Sequence, residues 1–187
     1  LKGVDMCPEE LALAKARLPE GVVGLFELKA QNLVAIDDNS IDVVLCHWAL
    51  TLMNPITPVL DEVNRVLSSG GRFAALVDGP MKAAPKYSDV HNLIYRFAQA
   101  KIPKYGEIDL GDPRIRSTDT SKNLLHEAFP DAKVNIETSV VSMEGPVTEV
   151  AETAAGFFYA SFILPTETRR MMLSELSNVL AISKESE

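Results

Sequence analysis

A chain of 187 residues has length for one domain with a sizeable core, and 47% hydrophobic against 24% charged residues is the balance of a folded globular protein. A formal net charge of -8 argues against nucleic acid and anionic membrane as main partners, because neither is held without a basic patch, so a small-molecule partner is expected. Cys7 and Cys46 are too few for a disulfide framework and lack metal-ligand spacing, which gives a reduced, cytoplasmic setting with no metal as the expectation. No apolar run reaches the length of a membrane span, even residues 43–53 being broken by His47, and no signal-peptide pattern opens the chain. The sequence starts at Leu1 on what reads as the second half of a strand, and is expected to be a fragment.

Residues 1–5 read as a short strand ending in Asp5. A helix follows: Pro8 takes its first position, Glu9 and Glu10 complement the positive end of the dipole, Leu11, Ala14 and Leu18 share a face, and Pro19 ends it. Residues 22–27 form a further strand, and QNLVAIDDNS is a polar connection whose turn is Asp38-Asn39-Ser40.

Residues 41–79 are the unit around which the rest is arranged. Ile41, Val43, Val44 and Leu45 form an apolar run without solvent-facing alternation, as expected of a parallel strand covered on both faces. Val59, Leu60, Val63, Val66 and Leu67 then recur at helical spacing, with Thr57 as N-cap and Pro58 at the first helical position. Gly70-Gly71 is expected to stop that helix in a left-handed C-terminal turn, before a buried strand over residues 73–77. This is a βαβ unit following another βαβ unit. Such alternation predicts an α/β, doubly wound parallel sheet whose ligands bind beyond the carboxyl ends of the strands, at the loops after Asp5, Glu27 and Cys46.

Three strings, GVDMCPEELALAKARLP, AQNLVAIDDNSIDVVLCHWAL and LDEVNRVLSSGGRFA, occur in an order and spacing that resembles the class I S-adenosylmethionine-dependent methyltransferases, in particular the small-molecule branch similar to quinone-biosynthesis enzymes. The resemblance covers residues 3–77. It implies a Rossmann-like methyltransferase sheet, S-adenosyl-L-methionine as cofactor, Asp5 accepting from both ribose hydroxyls and Met6 against the adenine. A carboxylate is a natural acceptor for a diol. Lys29, Ala30 and Gln31 fall in the adenine loop, where similar sequences usually carry Asp at the position of Lys29; a cation cannot accept from the exocyclic amine, so the Ala30 N–H is the better contact. The family's opening strand and its Gly-x-Gly-x-Gly turn are absent. That strand lies mid-sheet in such proteins, so a chain that starts at Leu1 is expected to have a discontinuous sheet and to favour a homo-oligomer that covers the open edges.

Beyond residue 77 periodicity carries the reading. Tyr87, Val90, Ile94 and Phe97 mark a helix over 86–100, with Tyr87, His91 and Tyr95 along an adjacent line; in similar enzymes this segment covers the substrate, and packing on a surface helix is the plainer alternative. KIPKYGEIDLGDPRIRS is a loop by composition, and its LGDPRIRS is similar to stretches in some of these methyltransferases, although solvation alone would account for Arg114 and Arg116. A helix over 117–129 carries Leu124, Leu125 and Ala128, residues 133–143 alternate as a strand with a slip in register, and helices over 147–159 and 166–182 close the chain. A methyltransferase sheet ends in an antiparallel hairpin, so its last strand is expected beyond Glu187. The whole reads as one domain, with a cofactor-binding core over 1–80, a lid over 81–116 and a C-terminal strand and helices over 117–187.

His47 and Trp48 follow directly on a strand at the mouth of the crevice, which makes cofactor or substrate contact the expectation against simple core packing. Methyl transfer is an in-line displacement that needs positioning before it needs a base. His47 is the general-base candidate for an acceptor that must lose a proton, with His91 second; His126, beside Glu127, reads as solvated. Two other readings remain open: a non-catalytic methyltransferase-like protein, suggested by Lys29 and the missing glycine turn, and a nicotinamide-dependent oxidoreductase, since an acid ending the second strand also serves there.

Overall fold

The computed structural model describes residues 1–79, 86–106 and 111–181. Its elements run β1 (Lys2–Asp5), α1 (Pro8–Arg17), β2 (Gly24–Glu27), β3 (Ile41–His47), α2 (Thr57–Val66), β4 (Leu67–Leu76), α3 (Tyr87–Lys101), α4 (Thr118–Ala128), α5 (Val147–Gly156), α6 (Tyr159–Phe162) and α7 (Thr166–Ala181), with single 3-10 turns at Leu50–Leu52 and Pro113–Arg116. The expected helix end at Ile182 lies outside the described residues, as do residue 80 and residues 81–85 and 107–110 of the expected lid. No described helix is long and apolar enough to cross a membrane. The chain divides into two compact units, Leu1–Asp78 with Leu110–Ile136, and Gly79–Asp109 with Glu137–Glu187.

Among the described residues of the first unit four strands form two parallel pairs, β1 with β2 and β3 with β4, in two separate sheets. The fold is a mixed α/β arrangement of short parallel strands, as the alternation of elements predicted, but the sheet is discontinuous. α2 supplies the cover for β3–β4. Val59, Leu60, Val63 and Val66 are buried on one face and pack with Leu50, Ile56, Ile115, Leu124 and Phe129 or, at Val66, with Leu33 and Ile36.

The other face of β3 is open. Val43 and Leu45 are 52% and 77% exposed, so the expectation of a strand covered on both faces is corrected: Val44 and Cys46 point into the core and their neighbours in sequence point out, as the two-residue repeat of a strand requires. α1 likewise has no buried residue, and Leu11 and Ala14 are only partly covered.

The junction of α2 and β4 also departs from expectation. Thr57 is the first helical residue, not the cap, and no side chain caps this end. The helix ends at Val66 because Leu67 turns to extended geometry (φ -66°, ψ 131°), and β4 begins at once. Gly70 does adopt a left-handed conformation (φ 77°), but in an irregularity of β4 and not in the helix cap. The register passes from Ile41 opposite Leu67 to Val43 opposite Arg72, so β4 advances five residues while β3 advances two. Gly71 is needed in that bulge, since a Cβ there would lie 2.8 Å from the Ser68 carbonyl oxygen.

The connection over 28–40 is more than a polar linker. Leu33 and Ile36 are buried with Val66, and Arg65 of α2 donates from Nη2 to the Leu33 carbonyl (3.0 Å) and from Nη1 to the Ile36 carbonyl (2.9 Å). Arg65 also pairs with Glu62 (2.8 Å) and Asp38 (2.5 Å), while Glu62 accepts from the Leu33 N–H (2.5 Å). Asn39, at φ 51°, closes the predicted turn by donating to the Arg65 carbonyl.

The second unit is helical. Ile94 and Ala98 of α3, Ala151 and Ala155 of α5, and Met172 and Leu176 of α7 are its most buried side chains. The buried Ser161 hydroxyl donates to the Ala155 carbonyl (2.7 Å), so its burial leaves no polar group unmet. Residues 133–143, expected as a strand, join no ladder; Val140 and Val141 are exposed, and the segment runs from one unit into the other. Alternation alone does not make a strand where no edge accepts it.

Leu60→Ala is expected to lower stability in chemical denaturation by about 2–5 kcal/mol through the cavity it leaves, whereas Leu13→Ala on the exposed face of α1 is expected to change it by less than about 0.5 kcal/mol. An acid titration of stability checks the Arg65 cluster. The Arg65 hydrogen bond, ahead of the Leu33 N–H, holds the Glu62 carboxyl below its ordinary value of 4.5 against the opposing effect of burial. Its contribution is therefore full above that value and is lost as pH falls through the depressed one, and Glu62→Gln is expected to remove that part of the acid limb.

Candidate functional site

Asp5 ends β1 and is solvent-exposed, opposite Glu27 in the β1–β2 register. Its Oδ1 accepts the Cys7 N–H (2.8 Å), which fixes the carboxylate at the mouth of the β1–α1 turn, and its carbonyl accepts the Leu28 N–H (3.0 Å). The ladder thus carries the loop after β2 beside Asp5. Lys29 is exposed, Ala30 and Gln31 are half-buried, and the Lys29 carbonyl closes a turn by accepting the Asn32 N–H. Met6 is 64% exposed, an apolar side chain standing in solvent next to the acid. A carboxylate offers about four lone-pair positions, so the one hydrogen bond from Cys7 leaves it able to accept from a diol. Asp5, Met6 and an Ala30 amide on the neighbouring loop are a donor and acceptor set that fits a nucleoside.

At the end of β3, His47 and Trp48 are both exposed, with ring centroids 4.8 Å apart. Trp48 has a left-handed backbone (φ 53°), which costs a non-glycine residue about 1–2 kcal/mol. Its N–H donates to the Leu76 carbonyl (2.9 Å), and its carbonyl accepts from the hydroxyl of Thr51 (3.2 Å), which is buried. Cys46 is half-buried rather than fully buried, and burial pushes its thiol up, outweighing the Leu50 and Ala49 N–H groups nearby. Ala30 packs against the same cluster as Cys46 and Leu50, so the loops after β2 and β3 share a core.

The line on α3 exists as a stack in the second unit. The His91 and Tyr95 rings are 4.0 Å apart and nearly parallel, Tyr87 lies 6.2 Å from His91, and Phe158 closes edge-on at 6.1 Å. Tyr105 extends the stack from Tyr95, and burial raises its hydroxyl pKa.

Residues 1–75 match the family model described as a methyltransferase domain. The match spans less than half of the chain. A methyltransferase domain of this kind implies S-adenosylmethionine as cofactor. The matched stretch holds Asp5, Met6, Lys29 to Gln31, His47 and Trp48; the aromatic stack lies outside it. No curated protein matches the chain. Among solved structures, a provisionally named methyltransferase from an antibiotic biosynthesis pathway of Anabaena variabilis superposes with a TM-score of 0.63 at 15% identity, covering 96% of this chain and 70% of that one. A provisionally named methyltransferase of Bacillus halodurans gives 0.51 at 15% identity over 91% and 71%. These likenesses concern the fold. An S-adenosylmethionine-dependent methyltransferase from Mesorhizobium loti is 25% identical over 45% of this chain, with a TM-score of 0.41, and the chain spans only 38% of that protein.

Sequence reasoning missed a second group. Gly111, Asp112 and Arg116 lie against the turn after β3, with the Asp112 N–H donating to the Met53 carbonyl (3.1 Å), Arg116 Nη2 to the Thr51 carbonyl (3.2 Å), and Arg114 paired with Asp112. The signal was the short LGDPRIRS likeness, read there as compatible with solvated arginines.

Because its thiol is raised, Cys46 is expected to alkylate slowly at neutral pH in the folded protein and readily after unfolding; peptide mass spectrometry after iodoacetamide treatment checks this.

Proposed function

We propose that the chain carries S-adenosylmethionine-dependent methyl transfer to a small molecule. The observation that supports it best is Asp5, an exposed carboxylate at the carboxyl end of a parallel strand inside the methyltransferase stretch, with the loop of Ala30 hydrogen-bonded alongside. In this reading Asp5 accepts from the ribose hydroxyls, Met6 packs on the adenine, and the Ala30 N–H meets the ring with Lys29 and Gln31 flanking it. The cofactor supplies an electrophilic methyl group on a sulfonium. His47 and Trp48 contact cofactor or acceptor, and His47 takes a proton where the acceptor is a hydroxyl. Tyr87, His91 and Tyr95 are proposed as substrate contacts, their stacked rings suiting a planar or apolar small molecule. A net charge of -8 supports a small acceptor over a nucleic acid.

Lys29, in place of the usual acid, favours a second reading in which the fold is kept without catalysis. Binding separates the two. Asp5→Asn is expected to weaken S-adenosylmethionine binding by about 1.5–3 kcal/mol in calorimetry, through loss of a charge-assisted hydrogen bond. These measurements are made on a form that carries the family's glycine-rich turn: an unchanged affinity in the folded variant removes Asp5 from the site, and absence of binding by that form without the substitution favours the second reading.

A further inference from the structure

The backbone of Trp48 is held in a conformation that tryptophan avoids, and such a residue persists only where its surroundings over-determine it. Those surroundings come from far along the chain. The Trp48 carbonyl accepts from the Thr51 hydroxyl, and Thr51 is 2% exposed. The Thr51 carbonyl receives Arg116 Nη2, and two residues on, the Met53 carbonyl receives the Asp112 N–H. Gly111 lies against the same turn: a Cβ there would stand 2.3 Å from the Thr51 oxygen and 2.9 Å from its carbonyl carbon, and its φ of +82° is one that side chains resist.

The segment that presses on this turn is itself anchored. Arg114 grips the Asp112 carboxylate with Nε (3.0 Å) and Nη2 (2.7 Å), and the carboxylate also accepts the Arg114 N–H (3.0 Å). The Thr120 and Ser121 hydroxyls of α4 donate to the Arg114 carbonyl at 2.6 and 3.1 Å, and Ser121 donates to the Ile115 carbonyl at 2.7 Å. Ile115 and Leu124 are buried in the core that α2 completes. An unbroken set of contacts therefore runs from α4 through Pro113–Arg116 to the turn that ends on Trp48.

We propose that Gly111, Asp112 and Arg116 are positioning residues that hold the loop after β3, and with it His47 and Trp48, in a fixed presentation at the site. This rests on the proposed role of that loop in methyl transfer, and it adds that the presentation is set by a segment outside the methyltransferase stretch. A side chain at Gly111 displaces the Thr51 carbonyl, because backbone faces backbone there and neither can rotate away. Loss of the Arg116 donor loosens the same carbonyl without adding bulk.

The test uses the full chain and its single tryptophan, Trp48. Gly111→Ala and Arg116→Met are expected to shift the Trp48 emission maximum and alter its quenching by acrylamide while far-ultraviolet circular dichroism stays unchanged; Arg116→Lys, which keeps a donor, is expected to restore most of the signal. Where Gly111→Ala does not fold, the arginine pair decides alone. Emission and quenching equal to the unaltered protein in folded Arg116→Met overturn the proposal, and so does a change that Arg116→Lys fails to reverse. S-adenosylhomocysteine titrations separate the two levels: both loosened variants are expected to lose about tenfold in affinity. A moved Trp48 with unchanged affinity leaves the positioning role standing and overturns the placement of the cofactor at this loop.

Discussion

The guanidinium of Arg65 is the point on which the first unit depends. It spends its donors on two backbone carbonyls, Leu33 and Ile36, and two carboxylates, Glu62 and Asp38. Those carbonyls belong to a loop whose apolar residues are buried against Val66, where an unmet polar group would cost about 1–3 kcal/mol. A planar fork satisfies both from one side, which a lysine could not do. The result is that the route from β2 to β3 is defined by α2, and the loop after β2 is brought to the same core that supports the end of β3.

From there the geometry is carried by the β3–β4 ladder. The bulge at Ser68 to Gly71 takes up three residues and lets the strand leave the helix without a connecting loop, after which five consecutive pairs run from Val43 opposite Arg72 to His47 opposite Leu76. His47 is thus placed by the ladder, whereas Trp48, one residue further, is placed by a hydrogen bond to Leu76 and by the turn through Thr51. The site has a rigid half and a braced half.

What the sequence made legible follows from range. α1, α2, α4 and α7 were readable because Pro8, Pro58 and the apolar spacing are local signals, and Asp5 and His47 were placed because strand ends in a parallel arrangement are predictable positions. The burial of Leu33 and Ile36 was not legible: it depends on Arg65, about thirty residues away, and QNLVAIDDNS reads as polar by itself. Residues 133–143 alternate like a strand, but pairing is a tertiary property and the alternation had no partner. Gly70 reads as a helix cap in the sequence because a left-handed glycine serves either a cap or a bulge, and only the register distinguishes them. The Gly111 contact with Thr51 joins positions sixty apart through backbone, and backbone approach leaves no trace in hydropathy.

The interleaving of the two units sets an order in time. The backbone passes between them after residues 78, 109 and 136, so neither unit is one contiguous stretch. As the chain leaves the ribosome, α2 and β3–β4 emerge well before Ile115, Leu124 and Phe129, the side chains that share their core. The apolar stripe of Val59, Leu60 and Val63, which packs on β3–β4 at one side, stays only partly covered while α3 is being made. At about 5–20 residues per second, several seconds pass in which that stripe is open to a chaperone or to another nascent chain, and α4 ends the interval by closing over it.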